Sequence, residues 1–229
     1  MQLHKIIPLT VLIVFTNCTQ KKSENSDKVQ LNIELKDKLE NILLTDQGIR
    51  EIISGNFTDE RKSELLAKMN LSEGDIEGEK KFNLMREIDS INIIEVEKII
   101  KKYGYPGKSL VGEPANEAVF YVVQHSEKIN KYLPLIRKAT ENGDISKTAL
   151  AMMEDRSLVQ QGLEQLYGTQ INGKVGKEGK WIYFLWPVKN ADSLNMWRKQ
   201  VGFEQTIEES LKAMNLELKF YKLEEIDNL

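Results

Sequence analysis

Apolar residues return every three or four positions along most of this chain, a period that suits α-helices and little else. Residues 31–53 carry Leu35, Leu39, Ile42, Ile49 and Ile53 on one helical stripe. Thr58 is placed to cap a short helix ending near Met69, and residues 83–103 predict a long helix on Ile88, Ile91, Val96 and Ile99. Gly104 and Pro106 end that helix, and "GYPGKSLVGEPA" follows as an ordered, turn-rich loop. Pro114 opens the next helix, with Ala118, Val119, Val122 and Ile129 as its stripe, and a shorter one with Leu133 and Ile136 runs out at "ENGD". Ser146 caps a further helix that stops near Gly168.

Past that point the period falls to two. "KWIYFLWPV" is the strongest strand signal, with "YGTQIN" as its partner across the glycine-rich "GKVGKEGK". "ADSLNMWRKQVGFEQTIEESLKAM" returns to helix, and "LELKFYKL" reads as a last strand. The fold class expected is mostly α (α+β): one multi-helix domain over residues 31–229, with a small antiparallel β element near the C-terminus. At 229 residues, 41% hydrophobic and 29% charged, the chain has the composition of a folded globular protein. Its net charge of −3 comes from interleaved Lys and Glu without a long single-sign block, so nucleic acid is not an expected partner.

The N-terminus "MQLHKIIPLTVLIVFTNC" has one positive charge at Lys5, an apolar run over residues 6–15, and then Cys18, the only cysteine of the chain. The run is short for a membrane span and suits a signal-peptide core. A cysteine directly after it resembles a bacterial lipoprotein signal, with residues 1–17 removed and Cys18 acylated, although Asn17 departs from the small residue usual before the cysteine. An uncleaved anchor or an ordinary signal peptide are the alternatives. Residues 19–30, polar and aperiodic, read as a tether. The position after Cys18 is not acidic, which favours outer-membrane sorting if the cell has two membranes. The expected location is the cell envelope, with the lipid holding the protein on a membrane.

Several helices place ionisable groups on the stripe that ought to face the core. Asp46 sits at the centre of the first stripe with Arg50 at its edge, Asn92 and Glu95 fall between Ile88 and Ile99, and His125 lies among Ala118, Val122 and Ile129. On the helix after Ser146, Ile145, Ala149, Met152, Val159 and Leu163 share a face, and Arg156 lies within about 40° of its centre at 100° per residue. An unpaired buried charge costs several kcal/mol, so these groups are expected to meet one another or to line a wet cavity. The economical arrangement is a forked pair of Arg156 with Asp46 or Glu95, with His125 bonded into the same network. Tyr167, Thr169 and Gln170, just past the helix end, offer hydroxyl and amide groups at a pocket rim.

Other chemistries lack support. "GKVGKEGK" has no strand-to-helix context and no Gly-Lys-Ser/Thr ending, so it reads as a hairpin turn and not a phosphate loop. With His125 the one histidine past the signal and Cys18 acylated, a multi-histidine zinc site and a Cys-His pair are set aside. No EF-hand spacing and no Gly-x-Ser-x-Gly elbow occur, and neither metal nor cofactor is expected. Among Trp181, Tyr183, Phe184 and Trp186, alternation leaves one set facing out as a contact surface.

The segments so picked out resemble a bacterial domain family of unknown function, marked by Asp-Arg on a helix and a Tyr-Gly-Thr-Gln turn. Here these are Asp155-Arg156 and "YGTQ" at 167–170, with "DQGIR" at 46–50, "DSIN" at 89–92, "GYP" at 104–106, "QH" at 124–125 and "WRKQVGF" at 197–203. Tyr105 stands where tryptophan is expected, and Trp197 where a basic residue is commoner. The resemblance spans about residues 35–215 and adds Gln47, Asp89, Gln124 and Asp155 to the candidate site. It implies no activity. The sequence therefore leads to a polar pocket for a small polar or anionic ligand. The alternatives are an enzyme using His125 as acid or base, as in a hydrolase, or a scaffold for envelope proteins whose polar network only specifies the fold.

Overall fold

The computed structural model describes residues 30–229. Residues 1–29, with the expected signal segment, Cys18 and nearly all of the expected tether, lie outside the described residues.

Helix α1 (Ile33–Ser54) starts where the Asn32 side chain accepts the Leu35 amide, 3.0 Å, and ends at Gly55, whose φ of 70° suits a residue without a Cβ. It buries Leu35, Leu39, Ile42, Asp46, Ile49 and Ile52, a stripe spaced by three and four along its whole length. Across it runs α3 (Lys80–Tyr103), burying Asn92, Val96 and Ile99. Ile91, an expected core position, is 53% exposed. The short α5 (Ala118–Gln124), "AVFYVVQ", is buried on nearly every side and forms the centre of the main core, as befits a helix that is apolar all round. Helices α6 (Ile129–Glu141) and α7 (Lys147–Gln160) close that core through Ile129, Leu133, Ile136 and Met153. Helix α2 (Asp59–Met69) packs Leu65 and Leu66 on Ile49 and Ile52 in a smaller cluster, and α4 (Lys108–Val111) interrupts the expected loop.

The structure departs from the sequence reading at three joints. One helix was expected from Pro114 through Ile129, but it breaks at His125. The Ser126 hydroxyl donates to Val123 O and accepts from the Lys128 amide there, a local turn that competes with helix. Helix α7 stops at Gln160, not near Gly168, and it does not present the expected face: Met152 is 38% and Leu163 47% exposed. It buries two faces instead, Met153 and Ser157 with the helical core, and Ala151 and Asp155 toward the C-terminal segment. Finally, "LELKFYKL" forms no strand, and residues 191–214 give two short helices, α8 (Leu194–Gln200) and α9 (Ile207–Ala213), parted at Gly202.

The β element is an antiparallel hairpin of β1 (Ile171–Val175) and β2 (Trp181–Leu185), with Ile171 opposite Leu185. Its pleat turns Phe184 inward and leaves Trp181 and Tyr183 in solvent. Leu185, Leu194, Ile207 and Leu211 form the core of this C-terminal part. The fold is thus mostly helical with a two-stranded sheet near the C-terminus. No helix among the described residues is long and apolar enough to cross a membrane.

Candidate functional site

Asp46 is fully buried on α1, and its carboxylate is met from three directions. Gln47 Nε2 donates at 2.6 Å, His125 Nδ1 lies 3.1 Å away, and Arg50 Nη1 stands at 3.3 Å while donating to the Asp46 carbonyl at 2.8 Å. Arg50 reaches onward with Nη2 to Asp89 on α3, 2.8 Å. The α1 stripe fixes Asp46 inward, and the break after α5 turns the His125 ring toward it. With Nδ1–H given to Asp46, the other ring nitrogen is an acceptor free of the carboxylate.

Asn92 is buried beside this group and donates to Thr45 Oγ1, 3.2 Å. Arg156 approaches from α7 and donates to the Gln124 carbonyl, 3.3 Å, its only hydrogen bond among the described residues. Gln124 is itself buried as the last residue of α5. The expected forked pair does not exist. Arg156 meets neither Asp46 nor Glu95, and Glu95 faces outward between Lys38 and Lys98, which hold its carboxyl down to about 2. Burial, and after it the like charge of Arg50, push the Arg156 guanidinium below its ordinary value. Arg156 therefore stands close enough to Arg50 to feel its charge and is bonded to the residue before His125, and of these three it alone meets no carboxylate among the described residues.

The remaining expected residues belong elsewhere. Asp155, also fully buried, accepts from the Leu166, Tyr167 and Thr169 amides at 2.7, 3.0 and 3.0 Å and from the Thr169 hydroxyl at 2.9 Å. Neighbours on a helix point about 100° apart, so Asp155 and Arg156 face different surroundings. Gln170 bonds Thr169 Oγ1 and, with its amide, the buried Gln165, while Tyr167 lies near Glu154 and Arg137. Burial raises both the Asp155 carboxyl and the Tyr167 phenol. Thus Tyr167, Thr169 and Gln170 build a turn on Asp155 and form no rim to the Asp46 group.

Four buried polar residues, Asn116, Ser157, Gln165 and Arg198, escaped the sequence reading. Gln165 donates to Trp186 O and Gln170 O, and Arg198, 4% exposed, donates to Tyr167 O, Gln205 O and Ser210 Oγ. Arg198 stands one turn after the buried Leu194, a spacing that places it inward.

No curated protein and no solved structure matches the chain. Residues 33–220, from the start of α1 to beyond α9, match the Family of unknown function (DUF6624), and the chain belongs to that family.

Proposed function

We propose that the protein is a lipid-anchored envelope component that holds a small anion at the corner formed by Arg156, Arg50 and His125. The observation that carries this reading is the Arg156 guanidinium, which has five N–H donors, gives one to the Gln124 carbonyl and meets no carboxylate among the described residues. A planar guanidinium in that state favours a carboxylate or phosphate ligand bound through two parallel bonds. Arg50 is already paired with Asp46 and Asp89, so the unused N–H groups of Arg156 supply the anion contact, and His125 offers a ring nitrogen, not occupied by Asp46, that can accept from a hydroxyl of the ligand. The anchor rests on Lys5, the apolar run over residues 6–15 and Cys18. Replacing Cys18 with Ser would release the protein from the membrane fraction.

A second reading, an enzyme in which His125 moves a proton to or from the bound anion, is favoured by the 3.1 Å contact with Asp46, which orients the imidazole as a base needs. The test common to both is a thermal-shift screen of small phosphates and carboxylates on the wild type and on Arg156→Met. A ligand at a hundred times its Kd stabilises by about 2.7 kcal/mol. For a domain of this size that raises Tm by roughly 5–10 °C. The expected result is a shift in the wild type that Arg156→Met abolishes with its unliganded Tm nearly unchanged. If no anion shifts the wild type, or if the variant responds equally, the site is a strut in which Arg156 only caps α5.

A further inference from the structure

A second place in the molecule holds a guanidinium with no direct ion pair among the described residues, and its surroundings differ from the first. Between α7, the 167–170 turn, α8 and α9 lies a cavity of about 440 Å³, within the usual range for small-ligand sites. Met152, Ile171, Phe203, Leu211 and Met214 supply apolar walls, and Arg198 lines the interior. Met152 and Met214 are left 38% and 58% exposed.

We propose that this cavity binds a small amphiphilic monocarboxylate, an acyl chain ending in a carboxylate, with Arg198 as its anchor. Arg198 is 4% exposed, and the Phe203 ring lies 4.6 Å from the guanidinium centre, holding its plane. Its Nε goes to Gln205 O at 3.0 Å, Nη1 to Tyr167 O at 2.8 Å and Nη2 to Ser210 Oγ at 2.7 Å. These bonds use three of the five donors and leave one N–H on each terminal nitrogen, which a carboxylate entering the cavity would accept together. None of the three acceptors is charged, so among the described residues the buried cation makes no direct ion pair, and Asp155 and Glu208 act on it only through space. Thr148, Thr169 and Ser210 add hydroxyls to the lining.

The walls decide what kind of anion fits. A free phosphate would find few donors beyond Arg198, since the Thr169 and Ser210 hydroxyls already donate to Asp155 and Gln205, whereas an alkyl chain gains from removing the Met and Phe surface from water. Glu204, the one acidic residue of the lining, adds repulsion that weighs more on a dianion than on a monoanion.

Equilibrium dialysis of the full-length chain with dodecanoate below its micelle-forming concentration tests this, with dodecanol and inorganic phosphate as comparison ligands. Dodecanoate is expected to bind about tenfold or more tighter than dodecanol, because only the carboxylate engages the fork. Excess phosphate is expected to leave it in place. Met214→Trp, a change at an exposed wall position, fills the cavity and is expected to weaken dodecanoate binding with an unchanged circular-dichroism spectrum. Arg198→Lys, which keeps the charge and loses the fork, is expected to weaken binding about tenfold. Should Arg198→Lys fail to fold, Met214→Trp alone decides. Absence of dodecanoate binding, equal binding of dodecanol, displacement by phosphate, or binding unaffected by Met214→Trp would each overturn the proposal. Displacement by phosphate would move the bound carboxylate to the Arg156 corner and leave the reading of that site standing.

Discussion

Asp46 and Asp155 are both fully buried aspartates on helices, yet their surroundings are opposite in kind. Asp155 accepts from three backbone amides and one hydroxyl of a single turn, so each partner is consumed in fixing residues 166–169 against α7. Asp46 is met by three side chains, and each belongs to a residue with further capacity: Arg50 continues to Asp89, His125 keeps a second nitrogen, and Gln47 remains half-buried. A carboxylate bonded to backbone holds a segment in place. One bonded to long polar side chains orients groups that can still act on something else.

That contrast can be broken by substitution, and the largest effect is expected at the saturated site. Asp155→Ala leaves several buried amides without acceptors, so urea denaturation is expected to show a loss of about 4 kcal/mol. A loss below about 1 kcal/mol would mean that the 167–170 turn is held by something else. Asp46→Ala is expected to cost less, about 2 kcal/mol, because Arg50 keeps Asp89 and the other partners sit nearer solvent. The same variant should lose any anion-induced rise in Tm, since His125 and Arg50 are no longer oriented. Arg156→Met sharpens the distinction further. Losing one bond to a backbone carbonyl, it is expected to change stability by no more than about 1 kcal/mol while abolishing the anion response. The smallest effect belongs to Asp89→Asn, which weakens a half-buried part of the group and is expected to cost roughly 0.5 kcal/mol in the same denaturation series.

How far these regions were legible depends on how many faces each helix buries. Helix α1 has one buried stripe over its full length, so Asp46 at the centre of that stripe was visible from spacing alone. Helix α7 buries Met153 and Ser157 on one side and Ala151 and Asp155 on another, so no single stripe describes it, and a face through Met152 and Leu163 pointed into solvent. The same error put Arg156 in the middle of the core and predicted an ion pair that does not form. The break at His125 contains neither Pro nor Gly, and its signal was the weaker one of Ser126, whose hydroxyl organises the turn. Arg198 was legible in principle from Leu194 one turn earlier, but a seven-residue helix gives too few positions for a stripe to stand out.

What the sequence by itself determined was the local geometry: where apolar residues recur at helical spacing, where caps and turns stop the helices, and that charged groups sit among positions meant for the core. Those properties depend on residues within a few positions of one another. Which buried charge meets which partner was decided only by the tertiary structure. Asp46 meets His125 from 79 positions away and Arg50 meets Asp89 from 39, and the choice between a saturated strut and an open corner depends on distances of a few tenths of an ångström between separate helices.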